Sequence, residues 1–247
     1  MPATPLLECV PNFSEGRDPV VIQQISDRIA AVAGVRLLGV EPGRATNRTV
    51  ITFVGAPEPV LEGAFQGARA ALELIDMRHH RGEHPRFGAL DVCPLVPVAG
   101  LSMDQAVELA RRLGRRIGEE LGIPVFLYEF AARDERRRNL ADVRAGEYEG
   151  LAEKLAGPEW RPDFGPATFL PKTGAVAVGA RRFLVAYNVN LNTTSTRRAN
   201  AIAFDVREKG RIKRAPDRLN GEIVRDARGE PVWEPGTLPG VKAIGWY

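Results

Sequence analysis

Cysteine and long apolar runs are scarce in this chain of 247 residues. Its two cysteines, Cys9 and Cys93, lie far apart, so we expect no disulfide framework. No uninterrupted apolar stretch approaches the length of a membrane span. The N-terminus also lacks the basic start and apolar run that are typical of a signal peptide. These absences predict a cytoplasmic protein with no membrane partner.

Histidine is equally rare, and its placement is informative. All three histidines, His79, His80 and His84, lie in the stretch 76–98 among charged side chains. The pattern before them, 58–75, predicts a helix, and 89–98 predicts a buried strand. Function often lies in such a loop, because rigid elements on either side hold it at the surface.

His84 is the candidate general acid and base in this loop. The unperturbed pKa of histidine lies near physiological pH, so imidazole can take up and return a proton in one turnover. Pro85 restricts His84 to an extended backbone, and Glu83 and Arg86 flank it. A surface histidine in a polar loop is the alternative, which the density of Gly, Pro, His and Arg disfavours.

The histidines do not form a recognisable metal site. His80 and His84 are four residues apart, but Gly82 and Pro85 interrupt any helix that would place them on one face. The cysteines are too widely spaced to add a tight ligand set. We therefore predict that the protein has no metal cofactor.

The net charge of +3 is unevenly distributed. Residues 181–247 contain 13 Lys and Arg against 7 Asp and Glu, and the remainder of the chain is acidic. A basic part favours an anionic partner, although a solvated loop is the alternative. No aromatic residues alternate with these charges, as they do in proteins that bind single strands, so we predict no nucleic-acid partner.

Alternating strand and helix patterns predict an α/β (α+β) fold with mixed sheets. The first part of the chain has a βαββαβ order, which fits a ferredoxin-like plan. Helices are expected after the N-cap residues Asp18 and Ser102, and over the charged segment 131–140. The strand at 89–98 contains prolines that cannot donate ladder hydrogen bonds, so we expect it at a sheet edge or locally irregular.

Two domains are predicted, at 1–180 and 181–247. The predicted elements of the second are a strand at 183–191, a helix at 194–208, a hairpin that turns near Gly229 and a final strand at 241–247.

The motif Arg81-Gly82-Glu83-His84-Pro85-Arg86, followed by Gly-Ala-Leu-Asp-Val-Cys-Pro at 88–94, resembles the formiminotransferase domain family. Similar motifs occur in order along essentially the whole chain. They lie at 8–16, 46–50, 53–55, 144–149, 162–166, 179–181 and 243–247.

This resemblance implies an enzyme that transfers a formimidoyl group from N-formimidoyl-L-glutamate to N5 of tetrahydrofolate, in histidine degradation and one-carbon metabolism. His84 is then the catalytic residue, tetrahydrofolate is a co-substrate, and two ferredoxin-like subdomains make up the fold. The second subdomain looks incomplete. The folate-binding loop implied by the resemblance is Gly165, Pro166, Ala167, Thr168, Phe169, Leu170, Pro171, Lys172, Thr173 and Gly174.

Five further residues are inferred from charge and position to bind the substrates. We expect Arg48 and Arg86 to hold the glutamate carboxylates, and Glu41 or Asp91 to face the amidine charge. Asn47 lies with Arg48 at a strand end, although turn chemistry and a surface charge explain these two residues about as well.

Several alternatives stay open at this point. The chain could bind folate as an incomplete fragment or subunit, transfer a formyl group, or be an RNA-binding ferredoxin-like module. We predict a homodimer, or a second chain that completes the C-terminal subdomain.

Overall fold

A seven-stranded mixed sheet organises the first part of the protein in the computed structural model. The structure describes residues 4–185, 187 and 189–245. These residues form two compact units that divide between Leu184 and Val185. The strands of the large sheet are β1 (Leu6–Cys9), β2 (Asn12–Phe13), β3 (Val35–Gly43), β4 (Arg48–Gly55), β5 (Leu90–Ala99), β6 (Val125–Glu129) and β7 (Val176–Ala180).

The order of these strands confirms the predicted α+β class with a mixed sheet. β3 pairs with β4, and β4 pairs with the consecutive strands β1 and β2, all antiparallel. β1 and β2 pair in turn with β5, also antiparallel. β7 and β6 then extend the sheet with parallel pairs. The strands β1 to β5 and the helices between them therefore follow the βαββαβ order, with β1 and β2 together as its first strand, and two parallel strands enlarge the sheet beyond it.

β5 lies inside the sheet, so the expectation of an edge strand is wrong. β1 and β2 flank it on one side and β7 on the other. The expectation of local irregularity is confirmed, because the pairing shifts register between Asn12 and Phe13. The chain leaves the ladder between β1 and β2, where Val10 N donates to Pro94 O at 3.2 Å. This break accommodates a proline in a central strand.

Three long helices and two short ones accompany this sheet. They are α1 (Pro19–Ala30), α2 (Pro57–Leu74), α3 (Met103–Glu120), α4 (Leu140–Arg144) and α5 (Leu151–Ala156). Both predicted N-caps are confirmed: Asp18 accepts from Val20 N at 2.8 Å, and Ser102 forms a reciprocal capping box with Gln105.

The predicted helix over 131–140 is wrong. Only a single 3-10 turn, Glu135–Arg137, forms before α4 begins at Leu140. Asp134 caps this turn through Arg136 N, and the buried Arg137 reaches Asp163 at 2.7 Å. Side-chain bonds to local backbone and to a distant carboxylate thus replace the continuous helix that the composition suggested.

The two faces of the sheet have separate hydrophobic cores. α1, α2 and α3 cover one face, where Cys9 and Cys93 are fully buried with their sulfurs 3.6 Å apart. α4 and α5 cover the other face over the β5, β6 and β7 side, where Phe126 and Tyr128 pack. The expectation that Cys93 is a buried small hydrophobe is confirmed.

The described residues of the second unit form one helix and four short strands. They are α6 (Thr196–Val206), β8 (Arg211–Ile212), β9 (Arg214–Ala215), β10 (Glu222–Ile223) and β11 (Trp233–Glu234). β9 pairs with β10 and β8 with β11, each antiparallel. The predicted hairpin is confirmed, since Gly229 N donates to Asp226 O and Asp226 N to Glu230 O.

Two predicted strands of this unit are not borne out where the structure describes them. The described residues of 183–191 and of 241–245 belong to no strand, and residues 186, 188, 246 and 247 lie outside the description. No helix in the described part of the chain is long and apolar enough to cross a bilayer.

Candidate active site

A buried cluster of three charged side chains lies where β4 begins and β5 begins. Arg48 forms an ion pair with Asp91, whose side chain is 0% exposed. Arg144, at the end of α4, contacts the same carboxylate oxygen with Nη2 at 2.5 Å. The other oxygen accepts from Phe87 N at 3.1 Å. One buried carboxylate thus joins two guanidinium groups.

The arginines keep Asp91 ionised. Burial alone would raise the pKa of the Asp91 carboxyl, but the charges of Arg48 and Arg144 outweigh it and hold this pKa below its usual value. Both oxygens of Asp91 are used by protein donors. In this structure Asp91 is thus occupied with protein donors, and the expectation that Glu41 or Asp91 faces the substrate amidine stays a prediction.

His84 lies in the electrostatic range of this cluster. Its Nδ1–H donates to Pro85 O at 2.7 Å, since a carbonyl oxygen only accepts, and this leaves the lone pair of the neutral ring on Nε2. Burial lowers the pKa of His84, and the positive charges of Arg48 and Arg144 lower it further. His84 is therefore neutral near pH 7 and available as a base.

A second histidine, His80, holds the His84 loop in place through hydrogen bonds of both ring nitrogens. It is buried, and its Nε2–H donates to Asn47 O at 2.7 Å. Its Nδ1 accepts from Arg86 Nε at 3.3 Å, which defines the tautomer. Burial lowers the pKa of His80, so the ring stays neutral and joins two segments of the site.

Asn47 connects three loops rather than facing solvent. Its amide nitrogen donates to Arg81 O and its amide oxygen accepts from Gly16 N, both at 3.0 Å. Its backbone has a φ of 47°, a conformation that asparagine tolerates better than most residues. Nearby, a Cβ on Gly82 would lie 2.1 Å from Thr46 O, so only glycine fits there. Asn47 therefore positions the site, and its polar groups are not free for a substrate.

Arg86 is likewise bound by protein groups. Its Nη atoms donate to both oxygens of Glu149 at 2.8 and 2.7 Å, and Nη1 also reaches Glu147 at 3.1 Å. With Nε bound to His80, the fork of donors is already occupied by protein groups. Arg86 thus anchors the His84 loop in this structure, and its expected contact with a substrate carboxylate stays a prediction.

Glu41 stands apart from the cluster. It is exposed on β3, two residues before Gly43, which pairs with Arg48 in the sheet. It pairs with Val50 in the sheet, but within the described residues its side chain forms no hydrogen bond or ion pair. The structure thus pairs Arg48 with Asp91 and joins Asp91 to Phe87 N on the loop of His84. Asn47 and Arg86 support that loop, and Glu41 forms none of these contacts.

The two halves of the 165–174 loop contact different parts of the protein. Gly165 packs against α3 and the segment after it, since a Cβ there would lie 3.3 Å from Gly118 Cα and 2.2 Å from Ile123 O. The second half closes on the histidine segment, since Lys172 O accepts from Met77 N and Thr173 O from Ala89 N. Phe169 packs against Tyr148 with ring centroids 5.4 Å apart. Only the half from Phe169 to Gly174 therefore borders the His84 loop.

Three residues of the site were not among the predicted site residues. Arg144 and His80 have just been described, and Asn12 accepts from Arg48 Nε at 3.1 Å. Arg144 and Asn12 lie in the family-like motifs at 144–149 and 8–16, which was the available signal. In the part of the chain that the structure describes, no three His, Cys, Asp or Glu side chains are grouped as metal ligands.

Sequence comparison connects this geometry with known proteins. Residues 6–181 match the family model described as formiminotransferase domain, N-terminal subdomain. Residues 186–247 match the model described as formiminotransferase domain. The chain belongs to the formiminotransferase domain family. The resemblance inferred from the motifs is thereby confirmed.

Relatives of this chain carry the names of transferases. Formimidoyltransferase-cyclodeaminase of Sus scrofa is 52% identical over 242 residues, which are 98% of this chain and 41% of that protein. Glutamate formimidoyltransferase of Thermoplasma acidophilum is 52% identical over 206 residues, 83% of this chain and 68% of that protein. The protein of the same name from Streptococcus pyogenes is 45% identical over 205 residues. This chain therefore spans less than half the length of the pig relative.

Proposed function

We propose that this chain transfers a formimidoyl group from N-formimidoyl-L-glutamate to N5 of tetrahydrofolate, with His84 as general acid and base. The observation that carries the proposal is the bond of His84 Nδ1 to Pro85 O, which leaves Nε2 free on the loop whose Phe87 N donates to Asp91 of the Arg48–Asp91–Arg144 cluster. Two relatives named glutamate formimidoyltransferase support the same chemistry.

One histidine is sufficient for the proton transfers of this reaction. N5 of tetrahydrofolate attacks the amidine carbon, and His84 Nε2 takes up the N5 proton as the tetrahedral intermediate forms. The bond from that carbon to the glutamate nitrogen then breaks, and His84 returns the proton to the departing amine. The products are L-glutamate and 5-formimidoyltetrahydrofolate. A positioned acid and base of this kind contributes about a hundred- to ten-thousand-fold in rate.

The second half of the 165–174 loop is proposed as part of the folate site. It borders the His84 loop through the contacts of Lys172 and Thr173, and the rings of Phe169 and Tyr148 offer apolar surface for a pterin. Tetrahydrofolate is a co-substrate in this proposal, and a cytoplasmic homodimer stays a prediction.

A coupled assay with N-formimidoyl-L-glutamate and tetrahydrofolate tests the proposal. We expect turnover by the wild-type chain and a loss of at least about a hundredfold in His84→Ala. His79→Ala is the matched control, because His79 is exposed on the same loop and should leave turnover unchanged. Turnover that survives in His84→Ala would remove His84 from the mechanism. Tetrahydrofolate binding without turnover would contradict the transferase proposal for this chain.

A further inference from the structure

We propose that Arg144, together with Arg48, binds the α-carboxylate of the formimidoyl donor. The identity of the donor rests on the proposed function, whereas the anion site itself rests on the side chains described below. Arg144 would then touch the substrate and determine its specificity.

The charges of the cluster do not balance. The side chains of Arg48, Asp91 and Arg144 are 9%, 0% and 13% exposed, so all three are largely removed from water. Asp91 is the one carboxylate within 4.0 Å of either arginine among the residues that the structure describes. A buried charge without a partner is unfavourable, and a ligand carboxylate would give each arginine its own anion.

Hydrogen-bond donors remain for such a ligand. Arg144 uses Nη2 for Asp91, and within the described residues its Nη1 forms no hydrogen bond and is not among the buried atoms, so Nη1 is the donor left for a ligand. Arg48 uses Nε for Asn12 and Nη1 for Asp91. A guanidinium has five N–H donors in a planar fork that matches a carboxylate, so the two residues retain donors for an anion.

The position of the cluster favours the α-carboxylate over the γ-carboxylate. Phe87, three residues after His84, donates its N–H to Asp91 at 3.1 Å, so the cluster adjoins the loop that carries the imidazole proposed to protonate the departing amine. In the donor, the α-carboxylate is attached to the carbon that bears this amine nitrogen, and the γ-carboxylate is further along the side chain. Binding the α-carboxylate would also offset the arginines and make His84 a stronger base in the loaded enzyme.

A purely structural role for Arg144 is less well supported, because another residue already holds this end of α4. Lys154 Nζ donates to the carbonyl oxygens of Asp142, Val143 and Ala145 at 2.9, 2.6 and 3.0 Å. Those bonds satisfy the last carbonyls of the helix without Arg144. We therefore expect Arg144→Gln to fold with α4 in place.

Calorimetric binding of three small ligands tests the inference without turnover or folate. L-glutamate carries both carboxylates, 4-aminobutanoate lacks the α-carboxylate, and L-2-aminobutanoate lacks the γ-carboxylate. We expect the wild-type chain to prefer L-glutamate over 4-aminobutanoate, and Arg144→Gln to reduce that preference by about ten- to a hundredfold, as for a charged hydrogen bond. Arg144→Lys should retain part of it.

The controls separate specificity from folding. Arg136→Gln removes a nearby exposed arginine that pairs with Asp134, and should leave the preference unchanged. In the active enzyme, Arg144→Gln should also move the acidic limb of kcat/KM to higher pH, because a charge that lowers the pKa of His84 is gone. A folded Arg144→Gln that keeps the full preference overturns the inference, as does a wild-type chain that does not bind L-glutamate.

The two proposals fail in different ways. Arg144-dependent discrimination by a chain without transfer activity would support the anion site and contradict the proposed function. Transfer activity with unchanged discrimination in Arg144→Gln would support the function and contradict the role of Arg144.

Discussion

Arg86 donates to both carboxylate oxygens of Glu149, at 2.8 and 2.7 Å, and so ties the His84 loop to the turn after α4. The main chain repeats the connection, since Tyr148 N donates to Arg86 O at 2.9 Å. The position of His84 thus depends on the ion pair that Arg86, two residues after it, forms with Glu149.

Replacing Arg86 should weaken both stability and turnover. Arg86→Gln leaves Glu147, Glu149 and His80 Nδ1 without their cationic partner. Since both glutamates are partly exposed, we expect a loss of about 1 kcal/mol in the free energy of unfolding, measured in urea. Transfer should slow, because His84 is less firmly held. Arg78→Gln, which breaks an exposed pair on the same loop, is the control. Unchanged turnover in Arg86→Gln would contradict the anchoring role.

The same pair predicts an acid-dependent loss of stability. Arg86 lowers the pKa of Glu149 from 4.5 to about 2. The stabilisation is therefore complete above pH 4.5 and is lost as the pH falls from there to about 2. Urea unfolding of wild type and Arg86→Gln across this range should show a smaller pH slope in the variant. Equal slopes would show that the pair does not contribute.

The lowered pKa of His80 should make the free energy of unfolding depend on pH nearer neutrality as well. Burial lowers its pKa below 6.5, so the unfolded chain takes up more protons than the folded chain as the pH falls below 6.5. The free energy of unfolding should decrease in that direction. His80→Gln keeps an amide donor and acceptor but does not titrate, and should reduce the slope. His84, whose pKa is also lowered, contributes separately, so the double variant should be flatter still.

Gly82 should not tolerate a side chain. A Cβ there would approach Thr46 O to 2.1 Å, within the turn that leads to Asn47. We expect Gly82→Ala to cost about 1–3 kcal/mol, as overpacking does, and to reduce turnover by displacing the loop. Gly157→Ala is the matched control, because its Cβ would meet its nearest atom at 3.4 Å, an ordinary contact. A Gly82→Ala variant as stable as Gly157→Ala would contradict this packing.

Local signals explain what could be predicted from the sequence. Asp18 and Ser102 cap their helices as expected, because a cap needs only its own next few residues. The place of Pro94 was harder to predict, because it depends on β7, which follows more than eighty residues later. The segment before Leu140 has the composition of a helix but no apolar stripe to pack, and distant carboxylate contacts decide its course.

In the candidate site, too, the contacts between residues distant in sequence could not be predicted. His84 stands out through its motif, and its role as acid and base stays a prediction. The pair of Arg86 with Glu149 was not foreseen, because the two residues are 63 positions apart. Arg144 was overlooked for the same reason, since only the folded sheet places it against Asp91. Charge pairing across long separations is not encoded in any local pattern.

The carboxylate of Asp91 joins arginines that lie 43 and 53 positions away along the chain. Forming contacts between such distant segments requires loops whose closure entropy is recovered only when the sheet is assembled. In a refolding experiment, helical circular dichroism should therefore recover before the cluster exists. The recovery of transfer activity would then report the time at which the last long-range contacts of the chain are made.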